Sequence, residues 1–197
     1  NNPSTYTPGS WNRKEYHTLV GKKIGIIGLG RIGSRVAKRL FGWECELIYH
    51  DVATFPDSYI KETNAKQVSL DELLSTSDIV TLHVPLEKTT KHMISTDELK
   101  MMKSNAILIN TSRGSVVDEQ ALIEALNQKI IFGAGLDVTE VEPIEIDNPL
   151  LHLENVILTP HFATRAYESE INIASFAVKN ASKVARGDKP DSVVPPV

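Results

Sequence analysis

The sequence has a single cysteine, Cys45, so no disulfide bond can form within the chain. A chain of 197 residues, 41% of them hydrophobic, can bury a core without such cross-links. A thiol without a partner fits a reducing compartment, and the sequence therefore predicts a cytoplasmic protein.

Long apolar runs are also missing. No stretch reaches the roughly 20 apolar residues that a membrane-spanning helix needs. The polar start, NNPSTYTPGS, does not resemble a signal peptide. Because the first residue is Asn1 rather than Met, we expect the chain to begin inside a longer protein or after processing. We expect no membrane partner.

The sequence has no excess of positive charge. Its 21 Lys and Arg residues face 25 Asp and Glu residues, which gives a net charge of -4. Nucleic acid binding depends on a basic surface that neutralises phosphates. We therefore expect no nucleic acid partner, and we expect no metal ion.

What the sequence does contain is an alternation of short apolar runs with segments of helical period, beginning at Lys23. Continuous apolar strands are typical of a parallel sheet that is buried on both faces. The pattern predicts a doubly wound α/β fold with helices on both sides. The six predicted strands are 22–27, 46–50, 78–84, 106–110, 131–138 and 155–160.

Helix signals lie between these strands. Ile32, Val36, Leu40 and Phe41 recur at helical spacing after the first strand. Two possible capping boxes, Ser69 with Glu72 and Ser95 with Glu98, predict helix starts, and residues 118–128 predict a further helix. A long helix is predicted from Thr164 to Ala185, with Gly187 as its C-terminal cap.

These patterns divide the chain into three parts. Residues 1–20 predict a linker or arm with a short helical piece, residues 21–187 predict one α/β domain, and the Pro-containing residues 188–197 predict an extended tail. In a doubly wound fold, ligands bind beyond the carboxyl ends of the strands. Functional residues are therefore expected directly after each strand.

A glycine motif, Gly28-Leu29-Gly30-Arg31-Ile32-Gly33, follows the first strand. Gly28 would permit a tight turn, Gly30 would let the backbone approach a pyrophosphate, and Gly33 would let the helix pack close to the strand. Asp51 lies just past the second strand, where a carboxylate can accept hydrogen bonds from ribose hydroxyls and repel a 2′-phosphate. The motif favours NAD over NADP, and the alternative is a structural turn with a surface aspartate.

His83, Val84 and Pro85 follow the third predicted strand. Val84 and Pro85 offer an apolar wall against which adenine could lie, although they could equally just end the strand. His83 is predicted with Val84 and Pro85 as a cofactor-binding residue, and for its ring a buried, hydrogen-bonded position is favoured over a role in proton transfer.

Three charged residues follow later strands. The guanidinium of Arg113 could bind a carboxylate, or it could pair on the surface with Asp118 or Glu119. Glu142 lies in an acidic stretch that is otherwise typical of a solvated loop, and His161 alone is more often a satisfied histidine than a catalyst.

The combination is more informative than its members. A carboxylate beside an imidazole raises its pKa, so that the ring can hold a proton near neutral pH and donate it to a carbonyl oxygen. Arg113 would anchor the carboxylate of the substrate and polarise its keto group. Arg113, Glu142 and His161 together meet the needs of 2-keto acid reduction.

The chain resembles the D-isomer-specific 2-hydroxyacid dehydrogenases from about Trp11 to its C-terminus. The resemblance rests on Asp51 and on five motifs, GKKIGIIGLGRIG, HVPLEKTTKHMI, NTSRGSVVDEQAL, GAGLDVTEVEP and NVILTPH, in this order. It implies a Rossmann-type fold, NAD as the cofactor, and hydride transfer between NAD(H) and a pair formed by a D-2-hydroxy acid and a 2-keto acid.

The resemblance also implies residue roles. Arg113 matches the substrate-binding arginine, Glu142 matches the glutamate that pairs with the histidine, and His161 matches the acid/base histidine. The backbone amides of Arg31 and Ile32 would bind the pyrophosphate. Asp137 would contact the nicotinamide carboxamide, and Thr111 would lie beside the cofactor.

The resemblance further implies a homodimer. Family members place a substrate domain, on the order of a hundred residues, before the segment equivalent to Trp11. Most of that domain is absent here, so we expect the isolated chain to bind NAD with little or no turnover. The chain also departs from the family after His161, where Phe162-Ala163-Thr164 stands in place of a glycine-rich stretch.

Two other functions fit parts of the same pattern. The first is an NAD-sensing scaffold like the corepressors that resemble this family and keep the same three residues. The second is a formate dehydrogenase, which would place glutamine where Glu142 stands.

Overall fold

The computed structural model describes residues 17–193. Residues 1–16 of the predicted arm and residues 194–197 of the predicted tail lie outside this range. The chain forms two compact units, of which the first ends at Leu158 and the second begins at Thr159.

The first unit is built on a seven-stranded parallel sheet of order β3-β2-β1-β4-β5-β6-β7. Strand order reverses at β1, which lies between β2 and β4. The doubly wound α/β prediction is therefore confirmed. The strands are β1 Lys23–Ile27, β2 Glu46–His50, β3 Lys66–Gln67, β4 Ile79–Leu82, β5 Ile107–Asn110, β6 Gly133–Leu136 and β7 Val156–Leu158.

Five short helices cover this sheet, with 3₁₀ turns at Phe41–Trp43, Gly114–Val116 and Pro149–His152. Two of the predicted helix starts can be checked by their caps. The Ser69 side chain accepts a hydrogen bond from the Glu72 N–H at 3.1 Å, and the Ser95 N–H donates to Glu98 Oε2 at 3.0 Å. The helices are α1 Gly33–Leu40, α2 Asp57–Thr63, α3 Leu70–Thr76, α4 Thr96–Met101 and α5 Glu119–Asn127.

Alternate residues of the central strands enter two separate cores. Ile24 and Ile26 of β1 pack in a cluster with Ala37 of α1, whereas Ile27 packs in a larger cluster with Leu73 of α3. Because both faces of the sheet are covered, both sets of side chains must be apolar. This explains why the strands read as continuous apolar runs.

Two elements of the first unit were not predicted. β3 is only two residues long and both residues are exposed, so no apolar pattern marks it, and pairing with Ile48 and Tyr49 of β2 defines it. α2 has the polar sequence DSYIKET and is held by Tyr59 and Ile60, which pack on the smaller core cluster.

The predicted stripe on α1 was wrong in part. Ile32 and Phe41 are 55% and 66% exposed, and the helix instead buries Gly33, Ser34 and Ala37. Small residues at these positions let the helix backbone approach the sheet closely.

The second unit contains α6, Tyr167–Ala185. The predicted helix began at Thr164, but Ala166 has an extended ψ of 142° and delays the start. Gly187 ends the helix with a left-handed φ of 81°, and the Asp188 N–H donates to the Lys183 carbonyl at 2.9 Å, as expected for a glycine cap. Within the described residues, no helix is both long enough and apolar enough to span a membrane.

Asp78 joins the amino ends of β1 and β4. Its Oδ2 accepts a hydrogen bond from the Lys23 N–H at 2.9 Å, and its Oδ1 lies 3.1 Å from Lys103 Nζ. Burial by itself would raise the pKa of Asp78, but the Lys23 N–H and the Lys103 ammonium outweigh burial and hold the pKa below its ordinary value of 3.8.

We predict that Asp78→Asn lowers the free energy of unfolding at pH 7 by about 1–2 kcal/mol, because the charged acceptor is lost. The carboxylate stabilises the fold above its unfolded pKa, and this contribution disappears as the pH falls through the lower folded pKa. Urea titrations should therefore show a difference between the two proteins that shrinks below about pH 4.

Glu46→Gln is the control for this variant. The Glu46 carboxylate lies 3.3 Å from Lys23 Nζ but is 59% exposed, so its loss should change stability by less than about 0.5 kcal/mol. Equal losses in the two variants would show that Asp78 has no special role.

Candidate active site

The carboxyl ends of the parallel strands lie together along one side of the sheet, which we call the carboxyl edge. The predicted site residues of the first unit lie there. Gly28 follows β1, Asp51 follows β2, His83 follows β4, Thr111 follows β5 and Asp137 follows β6. The reversal of strand order between β1 and β4 is the point at which such sheets bind ligands.

The three motif glycines lie in different surroundings, so the reason for a glycine differs among them. Gly28 has a left-handed φ of 91°, and a Cβ there would lie 2.7 Å from the His83 carbonyl oxygen. A Cβ at Gly33 would lie 2.0 Å from the Gly28 carbonyl oxygen. A Cβ at Gly30 would meet no atom within 4 Å, so nothing in the fold requires glycine at this position. An open, side-chain-free backbone here fits the approach of a pyrophosphate.

Asp51 connects the glycine loop to the end of β2. Its Oδ2 accepts a hydrogen bond from the Leu29 N–H at 2.7 Å, and its Oδ1 accepts one from the Ala53 N–H at 2.8 Å. A carboxylate has about four acceptor positions, so hydroxyl groups of a ribose can still bind to it. Burial and then the Asp51 charge raise the pKa of neighbouring Tyr49, which keeps that phenol neutral.

Tyr59 on α2 also holds the glycine loop, and sequence reasoning missed it. Its hydroxyl lies 3.0 Å from the Leu29 carbonyl oxygen and 3.1 Å from that of Gly30. The Tyr59 ring stacks on Phe55 with centroids 5.1 Å apart. An aromatic residue in a segment with no predicted helix gave no signal for this contact.

His83 is partly buried and bonded at both its backbone and its ring. Its N–H donates to the Ile27 carbonyl at 2.8 Å, and its Nε2 lies 3.1 Å from Thr81 Oγ1. Burial lowers the pKa of His83 to about 4, so the ring is neutral near pH 7. This geometry agrees with the interpretation of His83 as a hydrogen-bonded histidine, and Val84 beside it packs against Gly28.

Asn110 shapes the turn that carries Arg113. This buried side chain donates from Nδ2 to the Arg113 carbonyl at 2.9 Å and accepts from the Ser112 N–H at 3.0 Å. The Asn110 carbonyl accepts a hydrogen bond from the Asp137 N–H at 2.9 Å. One polar residue at the end of an apolar strand was the available signal for this role.

Arg113 is exposed, and its Nη1 donates to the Ser112 carbonyl at 2.7 Å. In the part of the chain that the structure describes, Arg113 pairs with neither Asp118 nor Glu119. Asp118 instead caps α5, and Glu119 bonds to the loop after β6. The guanidinium therefore keeps donors available for a carboxylate.

The loop after β5 packs against the loop after β6. A Cβ at Gly114 would lie 1.9 Å from the Thr139 carbonyl oxygen, which explains the glycine that follows Arg113. The Thr139 N–H donates to Glu142 Oε1 at 3.2 Å. The structure thus brings the loops of Arg113 and Glu142 together at the carboxyl edge.

His161 belongs to the second unit. Its φ of 51° is left-handed, and its N–H donates to the Thr159 carbonyl at 3.0 Å. Histidine is enriched among the few nonglycine residues that adopt this conformation.

Within residues 17–193, no group of three or more His, Cys, Asp or Glu side chains is arranged to hold a metal ion.

A doubly wound parallel sheet with a glycine loop after its first strand and a carboxylate after its second defines a dinucleotide-binding domain. A family model for the D-isomer specific 2-hydroxyacid dehydrogenase, NAD binding domain, matches residues 4–163. The chain belongs to this family, and the prediction of NAD as its cofactor is confirmed. The specific contacts predicted for the cofactor and substrate remain predictions.

Individual relatives agree with this assignment. A glyoxylate reductase of Korarchaeum cryptofilum is 46% identical over 90% of this chain and 53% of that protein. The holo D-mandelate dehydrogenase of Rhodotorula graminis has a TM-score of 0.85 and 33% identity over 92% of this chain and 53% of that one. D-lactate dehydrogenase with NAD+ from Lactobacillus jensenii has a TM-score of 0.80 and 34% identity over 89% and 56%.

We predict that Gly30→Ala leaves the melting temperature nearly unchanged but weakens NADH binding at least about tenfold, because the methyl group would occupy the path of the pyrophosphate. Gly33→Ala should instead destabilise the fold by about 1–3 kcal/mol or more, because its Cβ overlaps the Gly28 carbonyl. Thermal unfolding and NADH fluorescence titrations of both variants separate the two effects. Wild-type NADH affinity in Gly30→Ala would contradict this assignment.

Proposed function

We propose that this chain is the cofactor domain of an NAD-dependent oxidoreductase that interconverts a 2-keto acid and a D-2-hydroxy acid. The observation that carries the proposal is the packing of the Arg113 loop against the Glu142 loop through Gly114, at the same edge of the sheet as the glycine loop. The chain spans about half the length of the relatives it matches. The activity is therefore proposed for the longer protein.

In this proposal Arg113 binds the carboxylate of the substrate through paired N–H donors. His161 donates a proton to the keto oxygen, and Glu142 is the carboxylate that the family resemblance pairs with this histidine. When bound, NADH supplies the hydride that reaches the keto carbon. In the opposite direction His161 accepts the hydroxyl proton.

The cofactor contacts follow from the loops at the carboxyl edge. We propose that the Arg31 and Ile32 amides bind the pyrophosphate over Gly30, that Asp51 binds the ribose, and that Val84 and Pro85 lie against the adenine. Thr111 and Asp137 would lie on the nicotinamide side. Two observations support these contacts. The backbone at Gly30 is open, and Asp51, which follows β2, is hydrogen-bonded to the glycine loop that follows β1.

The substrate class is a small 2-keto acid. The Korarchaeum cryptofilum relative is named for the reduction of glyoxylate, the smallest such acid. We propose glyoxylate as the first substrate to test, since it needs only the carboxylate contact from Arg113 and a proton from His161.

Three further properties are proposed. These are a homodimer, on the family resemblance, a cytoplasmic location, on the single cysteine, and the division of the chain at residues 21 and 187, on the sequence pattern. Light scattering of the purified protein at several concentrations tests the first.

We predict that the chain binds NADH in preference to NADPH, and that Asp51→Asn weakens NADH binding about tenfold while improving NADPH binding. The amide keeps one acceptor for the Leu29 N–H, loses the acceptor for the Ala53 N–H, and removes the charge that repels a 2′-phosphate. Fluorescence titrations with both dinucleotides measure the change. Asp71→Asn, an exposed carboxylate in the first turn of α3, serves as the control. Equal affinities in the wild type would refute the assigned role of Asp51.

We predict that Arg113→Met in the full-length protein lowers kcat/KM for glyoxylate by about 30- to 150-fold, because one charge-assisted pair is worth roughly 2–3 kcal/mol. The dissociation constant for NADH should not change. Steady-state kinetics and NADH titration give the two values. An active Arg113→Met enzyme would overturn the substrate role, and NADH binding without any turnover by the wild type would favour an NAD-sensing module.

A further inference from the structure

The loop that carries Glu142 is tied at its base by one carboxylate. Glu119, the first residue of α5, accepts a hydrogen bond at Oε2 from the Glu140 N–H at 2.9 Å. Its Oε1 accepts one from Asn148 Nδ2 at 2.7 Å. Residues 141–147, which include Glu142, lie between these two anchored points. We call this arrangement the Glu119 clasp.

A reciprocal contact closes the clasp. The Glu119 N–H points back to Glu140 Oε1 at 3.3 Å, so each residue receives a backbone hydrogen bond from the other. His92 Nε2 lies 2.7 Å from the same Glu140 oxygen, in an orientation that does not make a directed hydrogen bond. The clasp therefore connects the loop after β6 to α5 through polar contacts at both ends.

Apart from these hydrogen bonds, few apolar contacts hold residues 141–147 against the domain. Val141 and Ile146 are 52% and 92% exposed, and the part-buried Ile144 is the loop residue that packs against the core. The hydrogen bonds from Thr139 to Glu142 and to the Val141 carbonyl are internal to the loop. Internal bonds fix the shape of a loop but not its position on the domain.

We propose that Glu119 is a positioning residue for Glu142, because its two carboxylate oxygens fix both arms of the loop. The inference rests on the proposed function, in which Glu142 supports the acid/base histidine. A carboxylate is needed because both partners, the Glu140 N–H and Asn148 Nδ2, are donors. Of the side chains of this length, glutamate accepts at both ends, whereas glutamine accepts at one end and donates at the other.

This requirement gives a test by exchange of donor and acceptor. Glu119→Gln places an amide donor against a donor, and Asn148→Asp places a carboxylate against a carboxylate. The double variant, E119Q with N148D, pairs the new amide donor with the new carboxylate and keeps an acceptor for the Glu140 N–H. Asp at position 148 also keeps the oxygen that accepts the Leu150 N–H.

The first readout is hydrogen exchange at the Glu140 amide in the full-length protein. Each single variant should increase the exchange rate about tenfold, because its local opening becomes easier, and the double variant should return it close to the wild-type rate. Unchanged exchange in Glu119→Gln, or no recovery in the double variant, would overturn the clasp.

The second readout is the pH profile of kcat/KM for glyoxylate. A displaced Glu142 supports the imidazole less, so the limb assigned to the acid should move to lower pH in both single variants and return in the double variant. The KM for NADH should not change. Altered exchange with an unaltered pH profile would show that the clasp does not act through Glu142.

A Glu142→Gln enzyme separates this inference from the proposed function. If Glu142→Gln keeps the wild-type pH profile, the role assigned to Glu142 is wrong whatever the clasp does. If Glu142→Gln shifts the profile and Glu119→Gln does not, the proposed function holds and the positioning role of Glu119 fails. Melting temperatures within a few degrees of wild type show that the variants fold.

Discussion

All strands of a parallel sheet run in the same direction, so each connection must cross from the carboxyl end of one strand to the amino end of the next. Successive side chains of a strand point to opposite faces, so in this chain Ile24 and Ile26 enter one core and Ile27 enters the other. The common strand direction also places the carboxyl ends of all the strands along a single edge. The segments that follow the strands all begin at this edge, so residues that are far apart in the sequence come close together there.

The glycines at this edge show how requirements of the fold and of a ligand can be told apart. Gly28, Gly33 and Gly114 each lie so close to a backbone carbonyl that a methyl group could not fit. Gly30 has open space around it, so the fold does not require glycine there, and the proposed pyrophosphate contact would give its small size a reason. Adding a Cβ in this way shows which glycines the fold itself requires without any bound molecule.

The sequence predicted a doubly wound α/β sheet, six of its seven strands and a set of candidate residues at the strand ends. These features could be predicted because apolar periodicity indicates burial and glycine spacing indicates tight turns. It could not find β3 or α2, whose polar residues are ordered by pairing with β2 and by the packing of Tyr59. It also misjudged Ile32 and Phe41, because helical spacing marks a stripe but does not say whether small residues beside it pack closer. The hydrogen bonds of the Glu119 carboxylate join segments that are distant in the sequence, which no local pattern encodes.

The interlock between Gly114 and Thr139 has a consequence for how such a domain can diverge. Because one backbone sits directly on the other, neither loop can lengthen or shift without displacing its neighbour. The distance between the bases of the Arg113 and Glu142 loops is thereby set by backbone contact, while the Glu119 clasp holds the rest of the loop after β6. New substrate preferences can then evolve at surrounding positions while this spacing is preserved, so that chemistry and selectivity vary separately.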